Sequence, residues 1–135
     1  MLKYMLDTNI IIYTLKNHPQ SVRDKFNVHR GEFCMSSITL MELIYGLEKS
    51  KQSPPKRALA EAFISAVPAI DYGEAAAEHT GDIRAMLEKS GTPIGNFDNL
   101  IAGHARSMGM VLITNNTKEF KRVDGLRLEN WVMRQ

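Results

Sequence analysis

Met1-Leu2-Lys3-Tyr4-Met5-Leu6-Asp7 opens the chain, followed directly by Thr8-Asn9-Ile10-Ile11-Ile12-Tyr13-Thr14-Leu15. Residues 3–6 predict a short apolar strand ending at Asp7, and residues 8–15 a helix, stopped by Asn17-His18-Pro19. From there strands and helices keep alternating. Residues 21–28 predict a helix, 32–35 a strand, and 36 to about 50 a helix for which Ser36 and Ser37 are good caps. Ser50-Lys51-Gln52-Ser53-Pro54-Pro55 reads as a loop between helices, too short for an interdomain linker. Further helices are predicted over 56–66, 74–88 and 96–108, the last capped by Asn96 and stopped by Gly109. Strands are predicted over 69–71, 110–114 and 126–128, with a turn or short helix over 117–120. Such alternation predicts an α/β fold with a mostly parallel sheet. Sites in such sheets lie at the carboxyl ends of the strands. Asp7 and Thr114-Asn115-Asn116 both fall just past predicted strand ends.

The size of the chain, 135 residues, predicts a single compact domain over 1–135. A hydrophobic share of 44% and a charged share of 24% suit a globular protein. Cys34 is the only cysteine, which excludes an internal disulfide and suits a reducing compartment. A carboxylate interrupts the first apolar run, unlike a secretory signal, and no apolar stretch could span a bilayer. A cytoplasmic protein without membrane contact is expected. The net charge of +2 is no argument for nucleic acid. Lys118, Lys121, Arg122 and Arg127 near the end, and Glu74, Glu78, Asp82 and Glu88 in the middle, read as solvated faces.

The placing of three other acids is more informative. Asp7 is the only charged residue between Tyr4 and Leu15, Glu42 the only one between Ser36 and Leu47. Asp98 is the only one between Ile94 and Ala105, with His104 counted neutral. None has a basic residue within a helical turn, and charges in core-like sequence are seldom buried unless paired or bound to metal. Each also has a structural explanation. Asp7 could cap the helix that follows, Thr39 and Glu42 could form a capping box, and Asp98 could favour the helix dipole in a first turn. A helix starting at Ser36-Ser37 instead leaves Glu42 inside it, on an apolar stripe of Ile38, Met41 and Tyr45. Acids gathered in one place repel one another, and Mg²⁺ or Mn²⁺, which prefer carboxylate and water ligands, would remove that repulsion. Such ions activate water against phosphodiesters.

Other chemistries fit less well. There is no Gly-x-Ser-x-Gly elbow, P-loop or dinucleotide fingerprint. The histidines His18, His29, His79 and His104 lack metal-ligand spacing, and His104 reads as packed or half-exposed. Asp7-Thr8-Asn9 has Asn9 where an aspartyl-phosphate motif needs a second Asp. A receiver-like module would need a lysine after its last core strand, and Lys118 is the only loose candidate.

Met5-Leu6-Asp7-Thr8-Asn9, Ser36-Ser37-Ile38-Thr39-Leu40-Met41-Glu42-Leu43 and Ile94-Gly95-Asn96-Phe97-Asp98-Asn99-Leu100-Ile101-Ala102 resemble the PIN-domain family. Thr114-Asn115-Asn116-Thr117-Lys118-Glu119-Phe120 and the ending Gly125-Leu126-Arg127-Leu128-Glu129-Asn130-Trp131 are similar to its VapC toxins, from bacterial toxin–antitoxin modules. The likeness runs almost end to end. It implies a PIN-like parallel sheet flanked by helices, and Mg²⁺- or Mn²⁺-dependent RNA cleavage. By direct motif match it places the acids at Asp7, Glu42 and Asp98, with Asp7 and Asp98 holding metal. The fourth acid falls on Glu119, because Asn115 and Asn116 stand where many members carry Asp. Thr8 and Asn116 are given hydrogen-bonding support roles, while Glu119 beside Lys118 and Lys121 could also be an ordinary surface residue. The resemblance further implies a homodimer held by a cognate VapB-like antitoxin, operator DNA bound only through that antitoxin, and transfer RNA as substrate, in the anticodon region of the initiator. A non-catalytic metal- or RNA-binding module is the alternative. Of candidate contact residues, Tyr13, Tyr45 and Leu47 read as core.

Overall fold

The computed structural model describes residues 1–132; the end of the expected domain, 133–135, lies outside the described residues. The strands are β1 (Tyr4–Leu6), β2 (Phe33–Ser36), β3 (Ala69–Ile70), β4 (Val111–Ile113) and β5 (Leu128–Glu129). The helices are α1 (Thr8–Asn17), α2 (Gln20–Val28), α3 (Ser37–Lys49), α4 (Pro54–Ala66), α5 (Glu74–Lys89), α6 (Asn96–Ser107) and α7 (Thr117–Phe120). All strand pairs are parallel, in the order β3-β2-β1-β4-β5. The expected α/β class and parallel sheet are thus observed.

Both faces of the sheet are covered, as parallel crossovers require. Because strand side chains alternate, Met5, Cys34 and Leu112 enter one core with Ile83 and Leu87 of α5 and Ile101, Ala102 and Ala105 of α6. Leu6, Met35 and Ile113 enter the other with Ile10 and Ile11 of α1, Val22 of α2 and Leu43 of α3. Trp131 closes that second core, edge-on to Tyr4 and stacked on His29. The chain builds outward from β1 to β2 and β3, then returns to lay β4 on the other side of β1. The order therefore reverses at β1, which opens a crevice at its carboxyl end.

Two contacts fix the helices around that crevice. The backbones of α5 and α6 touch at Gly103: a Cβ there would stand 2.7 Å from Thr80 N and 2.8 Å from Thr80 Cα. His104, fully buried on α6, lies with Nδ1 2.8 Å from Ser36 Oγ, edge-on to Tyr72. Burial holds its imidazole below the ordinary 6.5, so the ring is a neutral packing residue, as its sequence context implies.

Several boundaries differ from expectation. Helix α4 starts at Pro54 rather than 56, since proline fits a first helical position. Helix α6 is capped by Gly95, so Asn96 is its first helical residue rather than its cap. Strand β5 lies at 128–129 instead of 126–128. The stripe of Ile38, Met41 and Tyr45 is core only at its start: Ile38 packs against the first core and α3 buries Thr39, Leu43 and Leu47, while Met41 and Tyr45 are exposed. Leu47 is core as read, Tyr13 is half-buried, and Tyr45 is not core. Among the described residues, no helix is long and apolar enough to cross a membrane.

Candidate active site

Asp7 is the first residue past β1. Register pairs Leu6 with Ile113, and Asp7 N–H continues the ladder to Ile113 O at 2.9 Å. This puts Asp7 beside Thr114, the first residue past β4. The Thr114 hydroxyl donates to Asp7 Oδ2 at 2.7 Å and accepts the Asn116 N–H at 2.9 Å. Asp7 is wholly buried, and among the described residues its Oδ1 has no hydrogen-bond partner. Although it sits at the N-cap position of α1, its side chain makes no capping hydrogen bond. Burial pushes its carboxyl up to about 6; Thr114 and the backbone amides of Asn9 and Thr8 oppose the rise, and the Glu42 charge adds to it.

The capping question for α3 is answered by Ser36, whose Oγ accepts the Ile38 N–H at 3.1 Å. Glu42 lies inside that helix, where it caps nothing. It is half-buried, and its Oε1 accepts from Thr8 Oγ1 at 2.8 Å. Asp98 does occupy the first turn of α6, so the dipole account holds for it too. Its surroundings say more. Its pKa rises to about 7, first through burial, then through a hydrogen bond with Glu119, then through the charges of Asp7, Glu119 and Glu42. Glu119, half-buried on α7, is held by Asn116 Nδ2 at 3.3 Å. Phe120, wholly buried, anchors the short helix, and Arg122 ties its exit to Pro93 O at 3.0 Å, on the segment that leads into α6.

All four sequence-selected acids therefore face one another, with Thr8 and Asn116 bonded to two of them. Glu119 does not point away as a surface residue would. Sequence reading gave no role to Thr114, although a hydroxyl ending the strand beside β1 was a usable signal. It also missed Gly95, where a Cβ would stand 3.1 Å from Asp98 Oδ2.

Four acids with, among the described residues, no cation among their hydrogen-bond partners form an all-oxygen donor set. The bare, buried Asp7 Oδ1 is an atom that a hard cation would satisfy, so the residues fit Mg²⁺ or Mn²⁺. Among the described residues no three His, Cys, Asp or Glu side chains close around a single point. Mg²⁺ does not require that, since it binds through one or two carboxylates and keeps waters or substrate oxygens as its other ligands.

Residues 4–126 match the PIN domain family, and the chain belongs to it. It is 58% identical over 131 residues to the "tRNA(fMet)-specific endonuclease VapC" of Shigella flexneri, covering 97% of this chain and 99% of that protein. Among solved structures it is similar to DNA-bound VapBC from Salmonella typhimurium, with a TM-score of 0.92 at 53% identity over 97% of this chain and 99% of that one. VapBC2 from Rickettsia felis, bound to a DNA fragment from its promoter, gives 0.89 at 40% identity over 96% and 99%.

Proposed function

We propose that the chain, as one PIN-like domain through residue 135, is a divalent-metal-dependent endoribonuclease, the toxin of a toxin–antitoxin pair. The single observation that carries this is the gathering of four acids past the ends of β1 and β4, where burial first, then a hydrogen bond with Glu119 and the charges of Asp7, Glu119 and Glu42, raise the Asp98 carboxyl to about 7. Perturbation of that kind clusters at functional sites. Asp7 and Asp98 would hold the ion. Glu42, aimed by Thr8, and Glu119, aimed by Asn116, would accept hydrogen bonds from the attacking water and keep it in line with the phosphorus. A divalent cation, when bound, supplies Lewis acidity to the phosphodiester and to the water. Attack by water spares the RNA 2′-hydroxyl and leaves 5′-phosphate and 3′-hydroxyl ends.

The tRNA(fMet) specificity of the Shigella relative supports initiator transfer RNA as substrate. The Salmonella and Rickettsia complexes support an antitoxin partner, through which operator DNA would be bound. A groove of about 620 Å³ between α1, α3 and α4 runs off Glu42, with Ile12, Leu43 and Leu59 in its walls. It suits a segment of such an antitoxin. Met41, Ile44 and Tyr45, exposed together on α3, suit a homodimer contact.

The test is cleavage of transfer RNA and of total RNA by the purified chain. Cutting should require Mg²⁺ or Mn²⁺ and stop in EDTA. Cyclic 2′,3′-phosphate products, or full activity in EDTA, would exclude this chemistry.

A further inference from the structure

Thr39 lies on α3 one turn before Glu42 and is wholly buried. It does not cap the helix, because Ser36 does. Its Oγ1 is instead 3.0 Å from Thr8 Oγ1, which is 2.8 Å from Glu42 Oε1. The direction of this chain follows from proton counting. A carboxylate only accepts, and each hydroxyl has one proton to give. Thr8 therefore donates to Glu42, and Thr39 donates to Thr8. Two hydroxyls from two helices thus end on one oxygen of one acid, and each bond in such a chain polarises the next.

We infer that Thr39 is a positioning residue for the acid cluster: acting through Thr8, it holds the Glu42 carboxylate in place and so sets how tightly the cluster binds a divalent cation. This rests on reading the cluster as a metal site. Groups that bond to a metal's ligands typically change its affinity 10- to 100-fold when removed. Glu42 would meet the ion through the water it holds rather than as a direct ligand, and Thr39 reaches Glu42 only through Thr8, so its effect should not exceed the low end of that range. A purely structural role, with the hydroxyl only pinning α1 to α3, would instead lower stability and leave metal binding alone.

The experiment is calorimetric titration of the full chain with Mn²⁺, without RNA, alongside thermal unfolding. Thr39→Val keeps the shape and removes the hydroxyl; it should weaken Mn²⁺ binding by about tenfold. Thr39→Ser should bind within about twofold of wild type, since the donor is kept. In a Thr8→Val background, Thr39→Val should have no further effect, because the path to Glu42 is already cut. Should Thr39→Val not fold, Thr39→Ala against Thr39→Ser makes the same comparison. Wild-type affinity in a folded Thr39→Val or Thr39→Ala protein overturns the assignment while leaving the metal site intact. Absence of Mn²⁺ binding by the wild type removes the metal site itself, and this role with it.

Discussion

The Thr114 hydroxyl commits its proton to Asp7 Oδ2 at 2.7 Å and leaves Asp7 Oδ1 bare. The two residues are 107 positions apart in sequence and become neighbours only because β1 and β4 pair in parallel register. The bond favours the charged form of a carboxylate that burial disfavours, so Thr114 opposes the rise of Asp7 to about 6. Replacing Thr114 with Val should raise the Asp7 pKa further. Cleavage measured against pH should then lose activity from the acid side, with the rising limb displaced to higher pH, and Thr114→Ser should restore it. An unshifted profile in Thr114→Val would show that this bond does not govern Asp7.

Asp98→Asn removes charge and keeps shape. Cleavage should fall by at least about 100-fold, the cost of losing one well-placed electrostatic group. The same variant tests the acid cluster through stability. In the unfolded chain an aspartate loses its proton near 3.8, whereas in the folded protein Asp98 does so at about 7 and Asp7 at about 6. Between those values the folded state holds the extra protons. The stability this gives is complete below 3.8 and is lost as pH rises through about 6 to 7. Without metal, Asp98→Asn should therefore melt higher than wild type at pH 8, with the gap closing toward pH 4. Comparing the two proteins at each pH cancels His104, whose lowered pKa acts in the opposite sense, costing stability as pH falls.

How far the sequence revealed this site depended on range. The acids stood out because each is the sole charge in an apolar stretch, and burial is what makes a lone charge conspicuous. Short-range chemistry was ambiguous: Ser36 and Thr39 both offer a hydroxyl for capping, and only the observed Ile38 N–H bond decides between them. Pairings set by the sheet were harder to see. Thr114 was visible as a strand end, but its bond to Asp7 was not, because that partner follows another strand; Thr39 was visible as a possible cap, but its path to Glu42 was not, because it runs through Thr8 on α1. Tyr45 misled because an apolar residue on a helical stripe signals core only where another element covers it: the core meets this stripe at Ile38 but leaves Met41 and Tyr45 exposed.

Gly95 caps α6 with φ −58°, a conformation open to any residue, so its glycine is not explained by backbone strain. The explanation is lateral: a Cβ would stand 3.1 Å from Asp98 Oδ2, and the carboxylate would have to shift by a few tenths of an ångström. Gly95→Ala should cost no more than about 1 kcal/mol in unfolding, the scale of a cap change. Cleavage should nevertheless fall about tenfold, because small misplacements of catalytic groups are expensive. Parallel unfolding and cleavage measurements would separate the two effects, and equal loss in both would refute a local cause.

Gly103 is the structural counterpart, remote from the acids on the same helix. Its missing side chain is what lets α6 lie against α5. A Cβ would fall onto the Thr80 hydroxyl and stand 2.7 Å and 2.8 Å from Thr80 backbone atoms. The hydroxyl could rotate away, but the backbone of α5 could not move without disturbing Ile83 and Leu87, both buried in the core beneath it. Removing the Thr80 side chain therefore offers little relief. Overpacking of this kind costs 1–3 kcal/mol and sometimes more, and contact with backbone belongs at the upper end, so Gly103→Ala should lose about 3 kcal/mol in denaturant unfolding. The double variant Gly103→Ala with Thr80→Ala should recover only a small part of that loss. Full recovery would mean that the side chain, not the helix backbone, sets the approach. Because α6 carries Asp98, any folded Gly103→Ala protein should also cleave RNA poorly, its acid displaced along with the helix.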